Sequence, residues 1–354
     1  MKQHTTPDWR IIFKKAGIIF LSIILFALCC ILIYMTKTTG SIHQPESPGK
    51  PAASVHASKP GAGQEAQGKK DGYWTIAVFG VDSRNGDIGK DNNGDVQLLC
   101  SISRATGDIR LVSVYRDSYM MNNTGTGDYG KLDQAYFEQG PQGNAAVLST
   151  NLDLDVDDYI TFNWKGAADA INLLGGVDID LSKAEFYYMN AFITETVNST
   201  GVPSLPLEGP GLQHLDGVQA VAYMRLRKMD TDFARTERQR KVIAQIFEKA
   251  RSADASVLIQ LFDAVVPQIG TSIDEKGFLD ILYHVKDYRI SATSAFPAAY
   301  TVADMGKSGS CVIPNTLETN VEELHRFLYG DEDYRCTEQV KDISREIIKR
   351  AVRN

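Results

Sequence analysis

The sequence predicts an α/β fold in which helices flank a mixed central sheet, preceded by a single transmembrane helix and a flexible tether. From residue 74 onward, short runs of β-branched and aromatic residues alternate with helical segments, a pattern typical of a layered α/β domain. A long uncharged run precedes this region, and a stretch rich in Pro, Gly and Ser separates the two. The composition, 43% hydrophobic and 23% charged, is ordinary for a globular chain and indicates no function by itself.

The amino-terminal segment predicts one membrane span. Residues 16–34 carry no charge and approach the roughly 20 residues that cross a bilayer, so we assign the helix to residues 16–35. One early basic residue, Lys37, follows the run. Four basic residues precede it: Lys2, Arg10, Lys14 and Lys15. This asymmetry predicts a cytoplasmic tail, residues 1–15, and an extracytoplasmic carboxyl-terminal domain. A cleaved signal peptide is the alternative, but the run is long for one and no A-x-A site follows.

The region after the membrane span predicts a linker and one domain. Residues 36–71 contain almost no large apolar side chains and cannot form a core, so we expect a flexible linker. No further linker interrupts residues 72–354, which therefore form one extracytoplasmic domain with a carboxyl-terminal extension. The net charge of the whole chain is −7, although residues 1–34 carry four basic side chains and one acidic one. The predicted extracytoplasmic part is therefore more acidic than the chain as a whole. This balance argues against a general affinity for nucleic acid.

Individual elements follow from the apolar periodicity. Residues 74–82, 95–104 and 109–116 predict three strands, and the turn at 105–108 makes the second and third antiparallel neighbours. The remaining predictions are strands at 159–164 and 177–181, a Pro- and Gly-rich loop at 201–211, and helices at 141–152, 166–174, 216–226, 235–252, 257–266, 277–288 and 317–329.

A cluster of arginines is the strongest polar signal in this acidic chain. The segment YMRLRKMDTDFARTERQR contains five of them beside two acids: Arg225, Arg227, Arg235, Arg238, Arg240, Asp230 and Asp232. Arg235, Arg238 and Gln239 share one face near the start of a helix, where backbone N–H groups also favour anions. Guanidinium groups bind phosphate oxygens bidentately, so this face could bind a pyrophosphate. The alternative is a solvated helix face with local salt bridges through Asp230 or Glu237.

Two carboxylates predict a metal site. Asp82 ends the first strand and Asp95 begins the second, and strand ends are where α/β sheets usually bind ligands. Together they would suit Mg²⁺, although turn capping is the alternative. Four further charged residues lie at loops or strand ends and are weak signals alone: Arg84, Arg116, Asp117 and Lys131. The chain has no HExxH, GxSxG or Walker motif, so zinc hydrolase, serine hydrolase and P-loop functions are unsupported.

The five cysteines show no metal-binding spacing. Cys29 and Cys30 lie in the predicted membrane helix, and Cys100 lies in a strand. Cys311 and Cys336 would face an oxidising compartment, where a disulfide between them could persist. Two reduced, buried thiols are the alternative.

Across roughly residues 73–250 the sequence resembles the LytR-CpsA-Psr family. FGVDSR resembles its opening strand, GDVQLLCSISRATGDIRLVSVYRDSYM its second Asp and Arg-Asp strand end, KLDQAYF its Lys-containing helix start, and AYMRLRKMDTDFARTERQRKVI its arginine-rich motif. The resemblance implies an α/β/α core with a hydrophobic pocket for a polyprenyl chain, an arginine cluster for its pyrophosphate, and Mg²⁺. It also implies transfer of a glycopolymer phosphate from a polyprenyl-pyrophosphate carrier to a peptidoglycan sugar hydroxyl, the polymer being teichoic acid, capsular polysaccharide or a similar glycan.

The resemblance also implies roles for individual residues. The implied metal ligands are Asp82 and Asp95, which with Arg116 and Asp232 make up the catalytic residues. The implied pyrophosphate contacts are Arg84, Lys131, Arg225, Arg227, Arg235 and Gln239. The sequence departs from the family at five positions, where the family usually has Ser, Thr, Pro, Gly and Gln: Gly94, Val96, Tyr115, Ala234 and Arg240. Loss of the hydroxyl at Val96 could remove a metal or phosphate contact, and Ala234 could shift the start of the following helix.

Two other functions remain open at this point. The same site could hydrolyse the lipid diphosphate if water replaced the sugar acceptor. Alternatively, the chain could bind lipid-linked glycan without turnover and act as an envelope regulator. A DNA-binding regulator would need the arginines in the cytoplasm, which the predicted topology opposes.

Overall fold

The computed structural model describes residues 72–83, 87–227 and 232–353. The predicted cytoplasmic tail, membrane helix and linker lie outside these ranges. Within them, no helix is both long enough and apolar enough to cross a membrane.

The described residues form strands and helices in mixed order. The strands are β1 (Tyr73–Val81), β2 (Gly94–Ser103), β3 (Asp108–Val114), β4 (Tyr119–Asn123), β5 (Asp128–Lys131), β6 (Asp158–Asn163), β7 (Val177–Leu181), β8 (Gly211–Leu215), β9 (Ile269–Thr271), β10 (Arg289–Phe296), β11 (Tyr300–Asp304) and β12 (Ser310–Pro314). The helices are α1 (Leu132–Leu152), α2 (Trp164–Leu173), α3 (Lys183–Thr200), α4 (Gly217–Arg225), α5 (Asp232–Ser252), α6 (Ala255–Val265), α7 (Glu275–His284), α8 (Leu317–Tyr329) and α9 (Glu338–Arg353).

A six-stranded mixed sheet lies at the centre, in the order β10, β3, β2, β1, β6 and β9. Strand β2 runs antiparallel to both β1 and β3, whereas β6 is parallel to β1 and β10 is parallel to β3. The predicted mixed sheet and the antiparallel pairing of the second and third strands are therefore confirmed. Three two-stranded antiparallel sheets, β4 with β5, β7 with β8 and β11 with β12, accompany the central sheet in the described residues.

Helices cover both faces of the sheet because side chains alternate along each strand. Phe79, Leu99 and Val112 pack on one face against α1, α8 and α9. Val96 and Leu98 pack on the other against α2, α3 and α4. Further along that second face, residues of α5 and α7 cover the apolar side chains of β1, β2 and β3. These three layers are the α/β/α arrangement that the family resemblance implies.

Several element boundaries differ from the sequence predictions. The segment Leu132–Leu152 contains two helical parts, because Gly140 has a non-helical backbone with φ 70°. The second part begins at Pro141, as predicted for 141–152, whereas the first part was not predicted. The third strand ends at Val114, so Arg116 follows it rather than belonging to it. Helices α3 and α9 and strands β4, β5 and β8 to β12 were not predicted. The helix predicted at 317–329 is confirmed.

Cys311 and Cys336 are free thiols, so the disulfide offered as one of two alternatives is not present. Both side chains belong to the apolar cluster between the sheet and helices α1, α8 and α9. The Cys336 thiol donates to the Glu318 carbonyl at 3.4 Å. Burial raises the pKa of Cys311 to about 11 and that of Cys336 to about 12. The structure therefore shows the second alternative, two reduced and buried thiols.

Candidate functional site

Charged side chains from several segments meet at one edge of the central sheet. Strands β1, β3, β6 and β10 end at this edge, and β2 begins there because it runs in the opposite direction. Val81 pairs with Gly94, so Asp82 and Asp95 lie on neighbouring strands at the same edge. Arg116 lies at the same edge, two residues after the end of β3. The strand topology thus brings these three residues together.

The Asp95 carboxylate connects two arginines from different layers of the fold. Its side chain is only 4% exposed. One oxygen, Oδ1, pairs with the Arg116 guanidinium, and Oδ2 accepts a hydrogen bond from Nη2 of Arg227 at 2.8 Å. A buried carboxylate is stable only when its charge is matched in this way. Asp95 therefore holds Arg116, which follows β3, next to Arg227, which follows α4.

The Arg225 guanidinium is held from three directions beside Asp82. Its Nη1 donates to the Thr196 hydroxyl at 2.9 Å, and Thr196 is fully buried in α3. Its Nη2 lies 3.6 Å from Oδ2 of Asp82 and 3.5 Å from Oε1 of Glu195. The guanidinium carbon also lies 5.9 Å from the centre of the Trp164 ring. Helix α3 and the start of α2 thus fix the orientation of Arg225.

A second group of charges lies at the start of α1. Lys131 Nζ contacts Oδ1 of Asp117 at 3.0 Å, and Arg116 Nε lies 4.0 Å from the other oxygen of that carboxylate. The Asp133 backbone N–H donates to the Arg116 carbonyl at 3.0 Å. Burial raises the pKa of Asp133, although the charges of Arg116 and Lys131 oppose the shift. These contacts connect α1 to the residue that pairs with Asp95.

The predicted arginine face of α5 points into the protein. Arg235, Arg238 and Gln239 are all buried, so they do not form the solvated helix face given as the alternative. Arg238 donates to the Leu226 carbonyl at 2.7 Å and Gln239 to the Met224 carbonyl at 3.5 Å. These two side chains therefore support the end of α4, which carries Arg225.

Arg240 forms the local salt bridge that the alternative interpretation of the arginine cluster predicted. Its guanidinium pairs with Glu237 three residues earlier on the same helix, and its Nη1 donates to the Ser294 carbonyl at 2.9 Å. It thus forms a local salt bridge and attaches α5 to β10.

Of the two carboxylates implied as magnesium ligands, Asp82 has an oxygen free for a metal, whereas both oxygens of Asp95 contact arginines. Oδ1 of Asp82 is buried and has no hydrogen-bond partner among the described residues. The described residues contain no group of three or more His, Cys, Asp or Glu side chains arranged for a metal. Mg²⁺ commonly binds through one or two carboxylates, with phosphate and water oxygens filling the other positions. Asp82 and the neighbouring Asp95 are of that chemical type.

Not every predicted site residue is visible in the structure. Arg84 lies outside the described residues, and so does the side chain of Asp232, the first residue of α5. Helix α5 begins at that residue, three positions before the predicted start at 235, so Ala234 lies in its first turn. Val96 is buried in the apolar cluster with Leu98, and a Cβ added at Gly80 would lie 2.8 Å from it. An apolar side chain at position 96 thus fills space against β1.

Several apolar side chains are partly exposed on the sheet face that α5 covers. Val78, Cys100 and Ile160 belong to central strands, yet each is partly exposed. Ile243 and Phe247 of α5 face the same cluster and are also partly exposed. Neighbouring protein atoms nevertheless enclose the Cys100 thiol and raise its pKa to about 12.

A separate cleft of about 670 Å³ lies at the opposite end of α4. It is lined by Asn172, Gly175, Gly176, Pro203, Ser204, Leu205, His214, Asp216 and Gln219. None of the charged residues at the sheet edge borders it. We therefore place the functional site at the sheet edge.

Comparisons with known proteins agree with this architecture. A model described as the LytR_cpsA_psr family matches residues 29–308. TagU of Bacillus subtilis, named a polyisoprenyl-teichoic acid–peptidoglycan teichoic acid transferase, is 27% identical over 267 residues, or 73% of this chain and 78% of TagU. TagU of Bacillus mycoides is 26% identical over 283 residues, or 78% and 84% of the two chains.

Solved structures share the fold. TagT bound to LIIa-WTA matches with a TM-score of 0.59 at 18% identity, covering 82% of this chain and 99% of that one. Protein gbs0355 from Streptococcus agalactiae matches with a TM-score of 0.61 at 24% identity, covering 75% and 90%.

Proposed function

This chain belongs to the LytR_cpsA_psr family, and from that membership and the site geometry we propose that it is a glycopolymer phosphotransferase. It moves a glycopolymer phosphate from a polyprenyl-pyrophosphate carrier to a sugar hydroxyl of peptidoglycan. The observation that carries this proposal is the buried Asp95 carboxylate, which holds Arg116 and Arg227 together at the edge of the sheet. Teichoic acid transferases among the relatives support the substrate class.

The more exposed cations bind the diphosphate directly. The Arg227 side chain is 44% exposed, and those of Arg116 and Lys131 are about one-fifth exposed, so all three are accessible to a ligand. Arg225 is almost buried and lies beside Asp82, so it contributes positive charge to the site without contacting the diphosphate directly. Fixed guanidinium groups stabilise the negative charge on the transferring phosphoryl group without reorganising during the reaction. Arg84 and Arg235 complete the proposed set.

Mg²⁺ is the proposed cofactor. Asp82 and Asp95 would hold it, and when bound it would neutralise charge on the diphosphate oxygens. Gln239, whose amide donates to the Met224 carbonyl, is assigned a supporting role rather than a direct contact. Asp232 remains a proposed catalytic acid from the family resemblance.

We place the polyprenyl chain against the partly exposed apolar side chains of the sheet face that α5 covers. Val78 stands four residues before Asp82 on one strand, a distance of about 13 Å at 3.3 Å per residue. A chain lying against Val78, Cys100 and Phe247 therefore places its diphosphate near the charged edge. The proposed membrane helix, residues 16–35, anchors the domain on the outer side of the membrane, where carrier and peptidoglycan are both present.

The reaction needs one substitution at phosphorus. The acceptor hydroxyl oxygen attacks the glycan-linked phosphorus, the bond to the bridging oxygen breaks, and polyprenyl phosphate leaves with the electron pair. The hydroxyl loses its proton, and a phosphodiester joins the glycopolymer to peptidoglycan. The protein's contribution is mainly to position the two substrates and to stabilise charge.

The test compares transfer by the full-length chain in detergent with and without Mg²⁺. The substrates are a polyprenyl-pyrophosphate glycan and peptidoglycan oligomers, and the product measured is the phosphodiester. We expect Arg227→Met and Asp82→Asn each to lower product formation by about 100-fold or more. Arg289→Met is the matched control, because Arg289 pairs with Asp108 at the starts of β10 and β3. These strand starts lie at the opposite edge of the sheet from the site.

Each other outcome identifies a different function. Release of polyprenyl phosphate without acceptor would indicate a hydrolase. Carrier binding without product would indicate a glycan-binding regulator. Equal loss in Arg289→Met would refute the assignment of the site to the Arg227 edge.

A further inference from the structure

We propose that Asp133 is the general base that removes the proton from the acceptor sugar hydroxyl. The inference rests on the proposed transferase function and adds a residue to its site. Neither the strand pattern nor the arginine cluster of the sequence pointed to this residue.

Three other acids that contact the cations of the site are paired with those cations. Asp95 shares both oxygens with arginines, and Asp117 pairs with Lys131 at 3.0 Å. Asp82 lies 3.6 Å from Arg225 and fits the proposed metal. An acid paired with a cation holds a proton weakly and is therefore a poor base. Among the described residues, Asp133 has no ion-pair partner within 4 Å.

The position of Asp133 places it beside the proposed phosphate-binding cations. It lies in the first turn of α1, two residues after Lys131, and its backbone N–H donates to the Arg116 carbonyl at 3.0 Å. The first turn of this helix thus faces the same edge as the Asp95 pair. An acceptor hydroxyl that approaches a phosphorus held by Arg116 and Lys131 comes close to the Asp133 carboxylate.

The surroundings of Asp133 favour proton uptake. Burial raises its pKa, Arg116 and Lys131 act in the opposite direction, and Asp117 adds to the increase. A carboxylate with a raised pKa accepts a hydroxyl proton more readily than an ordinary exposed carboxylate. The base must be ionised, so activity falls as the pH drops through the pKa of Asp133.

The step balances in atoms and charge. The Asp133 carboxylate takes the proton of the acceptor hydroxyl as the new oxygen–phosphorus bond forms. The bond between that phosphorus and the bridging oxygen breaks, and polyprenyl phosphate leaves with the electron pair. Asp133 then returns the proton to water, which regenerates the carboxylate.

The test uses full-length Asp133→Asn, which keeps the shape of the side chain and removes the base. We expect kcat to fall by about 100-fold or more, with KM for the polyprenyl-pyrophosphate glycan unchanged. The acidic limb of the pH–rate profile should also disappear. Asp128→Asn is the matched control, because Asp128 is exposed on the adjoining strand β5. Its kcat and pH profile should match those of the wild type.

Three outcomes would overturn the inference. A kcat within about threefold of wild type would show that no base was removed. An unchanged acidic limb would assign that titration to another group. Loss of carrier binding together with turnover would make Asp133 a positioning residue. Absence of product from the wild-type chain would refute the proposed function itself, whereas product from wild type and Asp133→Asn alike refutes only the role of Asp133.

Discussion

Replacing Thr196 with Val tests whether α3 fixes the arginine beside Asp82. The substitution keeps the branched shape of the side chain but removes the hydroxyl that accepts from Arg225 at 2.9 Å. Both groups are buried, so water cannot replace the lost bond without rearrangement. The Arg225 guanidinium would keep only its longer contacts to Asp82 and Glu195, at 3.6 and 3.5 Å. We expect both stability and diphosphate binding to decrease.

The size of the effect follows from the charge on the donor. A hydrogen bond to a charged group contributes about 1.5–3 kcal/mol, so Thr196→Val should lower the free energy of unfolding by about that amount. At about 2–4 °C per kcal/mol for a large domain, the unfolding temperature should fall by roughly 3–12 °C. Thr200→Val is the matched control on the same helix. Its hydroxyl donates to the Thr196 carbonyl at 2.7 Å and accepts from the Val202 N–H at 3.2 Å, two neutral bonds that contribute about 1 kcal/mol each, so this control matches the loss of stability without touching Arg225.

Two assays separate the structural and functional parts of this prediction. Thermal unfolding of the full-length chain measures stability, and titration with a polyprenyl diphosphate measures binding. If Arg225 becomes misplaced, each 1.4 kcal/mol of lost interaction weakens binding about tenfold, whereas Thr200→Val should leave binding unchanged. Unchanged binding in Thr196→Val, or equal loss of binding in Thr200→Val, would refute the reasoning.

Three further predictions follow from the same contacts. Arg116→Met should destabilise the fold more than Arg227→Met, by about 2 kcal/mol in urea unfolding, because the first pair is largely buried and the second is half exposed; equal effects would contradict this. Cys100→Phe should lower transfer from a long-chain carrier more than from a short-chain analogue, measured as the ratio of the two rates, whereas Cys100→Ala should preserve that ratio. The two buried thiols should contribute their full stabilisation below pH 9, and the free energy of unfolding should fall as the pH rises from 9 towards 11. The reason is that the thiols ionise near 9.0 in the unfolded chain, whereas the pKa values of Cys311 and Cys336 in the folded chain are about 11 and 12. Urea midpoints of the wild type that do not change across this range would refute the prediction.

The sequence predicted the edge of the sheet better than the supporting layer. Asp82, Asp95 and Arg116 stand at or just beyond strand ends, and strand ends are marked by local patterns that one sequence can display. Thr196 carries no such signal, because its role depends on α3 packing beside α4. Asp133 lies two positions after Lys131 in the sequence, but its burial and its backbone contact with Arg116 depend on the tertiary fold.

The missed elements have different physical causes. Helix α3 contains many aromatic and β-branched residues, whose intrinsic helix propensity is modest, although Ser182 and Glu185 form a capping box that marks its start. Strand β10 is largely exposed on its outer positions and joins the sheet at its edge beside β3, a long-range parallel pairing that local periodicity does not reveal. Tertiary context decided the structure of both segments.

The contact between Arg227 and Asp95 joins residues 132 positions apart in the chain. Such distant pairing closes a large loop and is expected to form late in folding. No fragment that ends before α4 contains both partners, so an incompletely folded chain would lack the assembled anion site. The proposed anion binding therefore depends on the chain having folded through the segment that follows α4.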